Sequence, residues 1–145
     1  LEKGYRDMGV DIDNTDTPLG AGLGFAVAWD KPGGFIGREA LLLARAAGPP
    51  QRRVVGVFVD DAQADLFGGA PVLLEGEWVG YVRAAAFGHT LGGPVGLAQV
   101  ECSTGVTAEW LRDGEFQVAT PARNLKARLQ FAPFYDPQRL RILAQ

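Results

Sequence analysis

The chain has very few of the residues that build redox, metal or nucleophilic centres. Its 145 residues include one cysteine, Cys102, and one histidine, His89. A single cysteine excludes an intrachain disulfide, which suits a reducing compartment, and the two residues together are too few for a common zinc site. We therefore predict no metal site in this chain.

Long apolar runs and an excess of positive charge are also missing. No stretch reaches the roughly 18 consecutive apolar residues that cross a bilayer, and the formal net charge is -3. A phosphate backbone thus has no general electrostatic reason to bind here. These features predict no nucleic-acid partner and no membrane partner. The expected location is the cytoplasm, if the protein is bacterial, or the mitochondrial matrix, if it is eukaryotic.

The common catalytic motifs are absent as well. The sequence has no phosphate loop of the Gly-Lys-Ser/Thr type, and no Gly-x-Gly-x-x-Gly that follows a strand and opens a helix. Ser103 has no nucleophile-elbow sequence around it, which argues against a Ser–His–Asp triad with His89. The residues alone identify no reaction, and we predict no catalytic residue within the chain.

Glycine and proline, in contrast, are abundant, with 20 and 9 residues, and predict many turns between short strands. The segment 53–59 is rich in β-branched residues, and the segment 125–131 alternates apolar with polar side chains. The predicted strands cover residues 23–29, 53–59, 71–74, 78–84, 94–101, 107–112, 115–119 and 125–131. About six strands at this spacing after residue 50 are typical of a small antiparallel barrel or sandwich.

Two glycine-containing connections are predicted as hairpin turns. One joins the strands at 71–74 and 78–84 through Glu75-Gly76-Glu77. The other is Asp113-Gly114, a strong short hairpin signal because both turn positions favour positive φ.

The best helix candidate is the segment 35–47, which consists mostly of strong helix formers. Gly48-Pro49-Pro50 ends it, and we take this break as a domain boundary. Residues 1–48 are then the end of one domain with a linking helix, and residues 49–145 form a second, β-rich domain. Because the chain does not open with methionine, we expect it to be the C-terminal part of a larger protein.

The order of four motifs resembles the C-terminal part of the glycine cleavage T-protein (aminomethyltransferase) superfamily. The likeness is strongest to the folate-binding region of dimethylglycine and sarcosine oxidases and dehydrogenases. The motifs are Glu2-Lys-Gly-Tyr-Arg with Thr17-Pro-Leu-Gly-Ala-Gly-Leu-Gly-Phe25, Phe35-Ile-Gly-Arg-Glu-Ala-Leu41, Gly80-Tyr-Val82 with Gly88-His-Thr-Leu-Gly92, and Pro133-Phe-Tyr-Asp-Pro137.

This resemblance implies a mainly β fold. A small antiparallel C-terminal barrel of about six strands would follow the α/β tail of a ferredoxin-like folate-binding domain. It also implies that tetrahydrofolate binds between the domains and accepts a one-carbon unit from an oxidised amine. The family's catalytic aspartate and the FAD domain of the oxidases would lie in an N-terminal part that this chain lacks, so the isolated chain is expected to be inactive.

The resemblance also suggests which residues contact the folate. Arg52 or Arg53, at the mouth of the barrel, would meet the anionic glutamate tail, and Tyr5, Tyr81 and His89 would line the channel. His89 has a second interpretation, as a loop residue that only fixes its turn.

Position 20 departs from the family pattern. Gly20 stands where the family usually has a glutamate that holds the pterin. A neighbouring carboxylate from Asp11, Asp13 or Asp16 is a possible substitute.

The leading hypothesis is therefore a C-terminal fragment of a folate-linked, flavin-dependent amine oxidoreductase of the dimethylglycine or sarcosine type. Its expected partners are a reduced folate, the remainder of the parent polypeptide and, in a homo-oligomer, a second copy of the chain. Two alternatives stay open. One is a stand-alone aminomethyltransferase of the glycine cleavage type, and the other is a structural or docking module that has lost folate binding.

Overall fold

The computed structural model describes residues 1–144, and its centre is a closed six-stranded barrel. The strands run around the barrel in the order β1-β4-β3-β2-β5-β6, and every neighbouring pair is antiparallel. Their bounds are β1 Arg52–Val59, β2 Pro71–Leu74, β3 Glu77–Gly88, β4 Gly93–Glu101, β5 Phe116–Ala119 and β6 Asn124–Gln130. The predicted fold class, mainly β with a six-stranded antiparallel barrel, is confirmed.

The barrel interior is filled by alternate side chains of its strands, as the two-residue period of a strand requires. Closure means that each of the six strands has a hydrogen-bonded neighbour on both sides. The core consists largely of valines with one large aromatic residue, Phe116, and its fully buried members include Val55, Val57, Val72, Val82, Val100 and Val118.

Residues 1–24 form an irregular segment that packs on the outside of this barrel. Ile12 and Ala21 are buried against Val54 and Leu97, which point outward from β1 and β4. The amide of Val54 donates to the carbonyl of Gly20 at 2.7 Å, so the segment is also joined to β1 through the backbone. This cover accounts for the burial of Leu97 on a strand that is buried along its whole length from Gly93 to Val100.

Three short helices complete the described chain. They are α1 Arg38–Ala46, α2 Ala108–Asp113 and α3 Leu140–Leu143. The predicted helix at 35–47 is confirmed but starts later, because Gly37 has a left-handed φ of 86° just before it. The described helices are all too short or too polar to span a bilayer.

Two predicted strands are wrong. The segment 107–112 is helix α2, because Thr107 caps its start by accepting the amide of Trp110 at 3.1 Å. Buried Leu111 faces the barrel, and Gly114 has a φ of -77° rather than the positive value of the predicted hairpin turn. Tertiary packing of α2 over the barrel thus overrides the local Asp-Gly signal.

The predicted strand at 23–29 contains only a 3₁₀ turn at Gly24–Ala26. The indole N–H of Trp29 donates to the carbonyl of Gly24 at 3.1 Å and folds the segment back on itself. The other hairpin prediction is confirmed, since Glu75 and Gly76 both have positive φ, 52° and 88°, between β2 and β3.

Candidate functional site

A cleft of about 470 Å³ opens where the N-terminal segment meets one end of the barrel. The segment supplies Lys3, Tyr5 and Arg6, and Phe25 follows it directly. The chain after β6 supplies Phe131, Asp136 and Arg139 among others. Its volume lies within the range of about 300–1,000 Å³ that is usual for sites of small molecules. Its walls combine aromatic rings with an excess of cations, which suits a flat, partly apolar ligand that carries negative charge.

Arg6 links two parts of the N-terminal segment beside the cleft through hydrogen bonds to backbone carbonyls. Its Nε donates to the carbonyl of Ala21 at 3.0 Å, and its Nη1 donates to the carbonyl of Gly4. Gly22, with a φ of 71°, lets the backbone approach the guanidinium, and a Cβ there would lie 2.9 Å from Arg6 Nη2. Burial lowers the pKa of Arg6, and the charge of Asp11 acts in the opposite direction.

Arg53 lies at the start of β1, and its guanidinium stacks on Phe131 at 3.7 Å from the ring centre. Phe131 also lines the cleft, so the predicted residues Tyr5 and Arg53 are brought to the same end of the barrel. Burial lowers the pKa of Arg53, and the nearby positive charge of Arg6 lowers it further.

The predicted residues Arg52 and Tyr81 lie elsewhere, in a cluster around Asp16. The Asp16 side chain is only 4% exposed, and its carboxylate forms a bidentate ion pair with Arg83. Arg83 Nη1 donates to Oδ2 at 2.9 Å, and Nη2 donates to Oδ1 at 3.2 Å. Arg52 approaches the same carboxylate at 3.5 Å, and the Tyr81 ring lies 5.9 Å from the Arg83 guanidinium. This cluster ties the N-terminal segment to the barrel wall.

A β-bulge in β3 directs the Arg83 side chain towards Asp16. Val82 pairs with Ala98 and Ala84 pairs with Leu97, so Arg83 is the extra residue between two regular pairs. An extra residue bends its strand and redirects its side chain. Here the side chain also donates to Gln99 on β4 and to the carbonyl of Asp11, at 3.0 Å for the latter.

His89 stays exposed in the turn between β3 and β4, with its ring against Phe87 at 5.3 Å. Glu2 fastens this turn, since its Oε1 accepts the amides of Thr90 and Leu91 at 2.8 and 3.1 Å. Desolvation raises the pKa of the Glu2 carboxyl, but the hydrogen bonds from Leu91 and Thr90 outweigh it and hold that pKa below its usual value. His89 itself is not among the residues that line the cleft.

The acidic substitutes considered for position 20 have other partners. Asp16 is engaged by Arg83, and Asp13 accepts the amide and hydroxyl of Thr15 at 2.7 and 2.6 Å. Asp11 is buried and accepts the amide of Asp7 through Oδ2, while its Oδ1 has no hydrogen-bond partner among residues 1–144. At Gly20 itself, a Cβ would lie 3.2 Å from both Arg52 O and Thr17 Oγ1, so a side chain there requires the loop to shift.

Sequence reasoning missed four contributors to these sites: Arg6, Phe131, Arg83 and the tether at Glu2. Arg6 and Glu2 belong to the quoted motif, but nothing in their spacing indicates that Arg6 lines a cleft with Phe131 or that Glu2 contacts the β3–β4 turn. Within residues 1–144, no three acidic, histidine or cysteine side chains gather as a metal ion would require.

Comparison with known proteins gives the family. Residues 52–136 match the family model of the glycine cleavage T-protein C-terminal barrel domain, and the chain belongs to that family. The match begins at the first residue of β1 and extends past β6, so it covers the whole barrel. The resemblance predicted from the four motifs is therefore confirmed.

Individual relatives extend the likeness beyond the barrel. The chain is 37% identical to 4-methylaminobutanoate oxidase (formaldehyde-forming) of Paenarthrobacter nicotinovorans, over 94% of this chain and 16% of that protein. It is 31% identical to human mitochondrial sarcosine dehydrogenase, over 98% of this chain and 16% of that protein. The chain thus spans only about a sixth of the length of these relatives.

A solved structure shows the same fold. The aminomethyltransferase T of the glycine cleavage system from Bartonella henselae superimposes with a TM-score of 0.75 at 27% identity. The superposition covers 94% of this chain and 37% of that structure, so it includes the N-terminal segment as well as the barrel.

Proposed function

We propose that this chain is the C-terminal part of a folate-linked, FAD-dependent amine oxidoreductase of the dimethylglycine- or sarcosine-oxidising type. In this proposal it helps to form the site where tetrahydrofolate accepts the one-carbon unit released from the amine. The likeness to an amine oxidase and an amine dehydrogenase over 94% and 98% of the chain favours this class.

The single observation that carries the folate assignment is the cleft between the N-terminal segment and the barrel end. A reduced folate joins a flat pterin and an aromatic ring to a tail with carboxylates. Tyr5, Phe25 and Phe131 offer aromatic surface, and Lys3, Arg6 and Arg139 offer positive charge. The residues present therefore fit the ligand, although Gly20 supplies no carboxylate for the pterin.

FAD would be bound by the remainder of the parent polypeptide, since this chain has no dinucleotide-binding motif. Bound there, it would take up the hydride of the amine. The part played by this chain is to bind and orient the folate beside the site of oxidation.

We further propose that residues 1–48 are the end of a folate-binding domain whose larger part precedes them in the parent. Helix α1 has no buried residue, and Ile36, just before it, and Leu43, within it, are exposed. Exposed apolar side chains gathered on one region indicate a surface that another part of a protein covers. The boundary near Gly48, the cytoplasmic or mitochondrial-matrix location and self-association remain predictions.

The test is an isothermal titration calorimetry experiment, in which the parent protein is titrated with the stable reduced folate 5-formyltetrahydrofolate. We expect saturable binding that weakens about fivefold in Phe25→Ala, because a base–aromatic or ring–ring contact contributes about 1 kcal/mol. Phe67→Ala is the matched control, since Phe67 is also exposed but does not line the cleft. Absence of saturable binding in the wild type would remove the folate assignment.

The alternatives make different predictions for the parent. A stand-alone aminomethyltransferase, which the structural match to aminomethyltransferase T supports, predicts a parent about two to three times this length and without flavin. A docking module predicts no folate binding in the wild type, and binding that appears only when Gly20→Glu restores the carboxylate.

A further inference from the structure

Glu2 contacts two parts of the chain that lie far from it in the sequence. Its carboxylate oxygen Oε1 accepts the amides of Thr90 and Leu91 in the β3–β4 turn. Its backbone carbonyl accepts the amide of Tyr135, in the segment that follows β6, at 3.0 Å. The sequence motif that begins at Glu2 is thereby joined to the motif of the β3–β4 turn and to the motif after β6.

The β3–β4 turn is shaped to receive the Glu2 carboxylate. The turn closes through a hydrogen bond from the Gly92 amide to the Gly88 carbonyl, at 2.7 Å. A Cβ at Gly88 would lie 2.9 Å from Glu2 Oε1, so this oxygen occupies space that a side chain at position 88 would need. Hydrogen bonds from amides to an ionised carboxylate are charge-assisted and stronger than neutral ones. The carboxylate therefore fixes the position of Glu2 against the turn.

Glu2 also connects two walls of the cleft. In one wall, Lys3 and Tyr5 follow Glu2 closely in the chain. In the other wall, Asp136 comes directly after Tyr135, whose amide Glu2 accepts. The Lys3 ammonium also lies 5.9 Å from the centre of the Tyr135 ring. Glu2 is not among the residues that line the cleft, so it acts on a ligand there through the positions of these neighbours.

We propose that Glu2 is a positioning residue of the cleft, whose carboxylate fixes Lys3 and Tyr5 against the opposite wall by anchoring them to the β3–β4 turn. This inference rests on the proposed function, because the affinity for a reduced folate is what reports on the cleft. Loss of the carboxylate then weakens binding by displacing those neighbours, and not by removing a contact with the ligand.

The first experiment measures the affinity of the parent protein for 5-formyltetrahydrofolate by isothermal titration calorimetry. We expect Glu2→Ala to weaken binding about fivefold, as much as the loss of one aromatic contact, because Tyr5 is displaced. Glu2→Gln keeps an oxygen that can accept both amides and is expected to restore most of the affinity. Asp61→Ala is the matched control and is expected to bind like the wild type. Asp61 also fastens a loop, through the Gln63 amide at 2.9 Å and an ion pair with Arg123, but does not line the cleft.

A double-mutant cycle separates positioning from a general loss of stability. In a Tyr5→Ala background, Glu2→Ala is expected to weaken binding by less than about twofold, because the ring that it positions is gone. In a Phe25→Ala background, the loss of about fivefold is expected to persist, because the two residues act independently. Phe25 belongs to the 3₁₀ turn, which the Trp29 indole holds instead. Equal losses in all three backgrounds, or no loss in the wild-type background, would overturn the positioning role.

Hydrogen exchange of the ligand-free parent tests the anchor apart from the folate function. We expect faster exchange in residues 89–92 and 133–137 of Glu2→Ala, and exchange like that of the wild type there in Asp61→Ala. If the wild type binds no folate, the proposed function fails, and faster exchange in both segments still supports the anchor. Unchanged exchange in either segment of Glu2→Ala would overturn the inference.

Discussion

Replacing Asp16 with asparagine is expected to lower the free energy of unfolding by about 3 kcal/mol. The substitution leaves the positive charge of Arg83, whose side chain is only 8% exposed, without its anionic partner. Breaking a buried ion pair from one side costs about 3–5 kcal/mol. We expect the lower end because Gln99 and the carbonyl of Asp11 continue to accept hydrogen bonds from Arg83.

The measurement is equilibrium unfolding in urea at neutral pH, with tryptophan fluorescence as the signal. Asp113→Asn is the matched control, since Asp113 pairs with Arg112 at 2.9 Å but both side chains are about two-thirds exposed. An exposed pair contributes about 0–1 kcal/mol, so the control is expected to unfold almost like the wild type. Similar unfolding of the two variants would show that the Asp16 cluster does not hold the N-terminal segment.

Truncation of Leu97 to alanine is expected to destabilise the chain by about 2–5 kcal/mol. Leu97 is 1% exposed, although its side chain lies outside the barrel, because Ile12 and Ala21 of the N-terminal segment cover it. The decrease in the free energy of unfolding therefore measures how much the packing of the N-terminal segment on the barrel contributes to stability. Leu43→Ala on α1, where the side chain is 73% exposed, is expected to change stability by less than about 0.5 kcal/mol.

The same urea denaturation experiment checks this prediction, with limited proteolysis as a second readout. We expect cleavage of Leu97→Ala to begin within residues 1–24, since the loosened segment opens before the barrel does. A loss below about 1 kcal/mol in Leu97→Ala would mean that the segment does not pack on β4 as described.

Most of the barrel was predictable from the sequence, because strand patterning is local. The segments that became β1, β2 and β6 alternate or carry β-branched residues, and the structure has strands there. The errors at 23–29 and 107–112 have a common cause. In each, contacts outside the local pattern decide the conformation, the Trp29 indole in the first and the docking of α2 in the second.

The site was less predictable, because barrel closure and the docked segment set its geometry. Tyr5 and Arg53 were predicted, and they lie at one end of the barrel. Arg6 and Phe131 were missed, since they are far apart in the chain and meet only when β6 pairs with β1 and the segment covers the end. The ion pair of Asp16 depends on a bulge at Arg83, and one residue of strand register has no signature in the sequence.

In the proposed function, the cleft between the N-terminal segment and the barrel end binds a reduced folate. Hydrogen exchange of the parent protein, with and without saturating 5-formyltetrahydrofolate, tests this location. We predict that amides in residues 3–6, 22–25 and 131–139 become protected, while β2 and β5, on the far side of the barrel, do not change. Saturable binding without protection in those three segments would contradict this location, and the absence of any ligand effect would contradict folate binding itself.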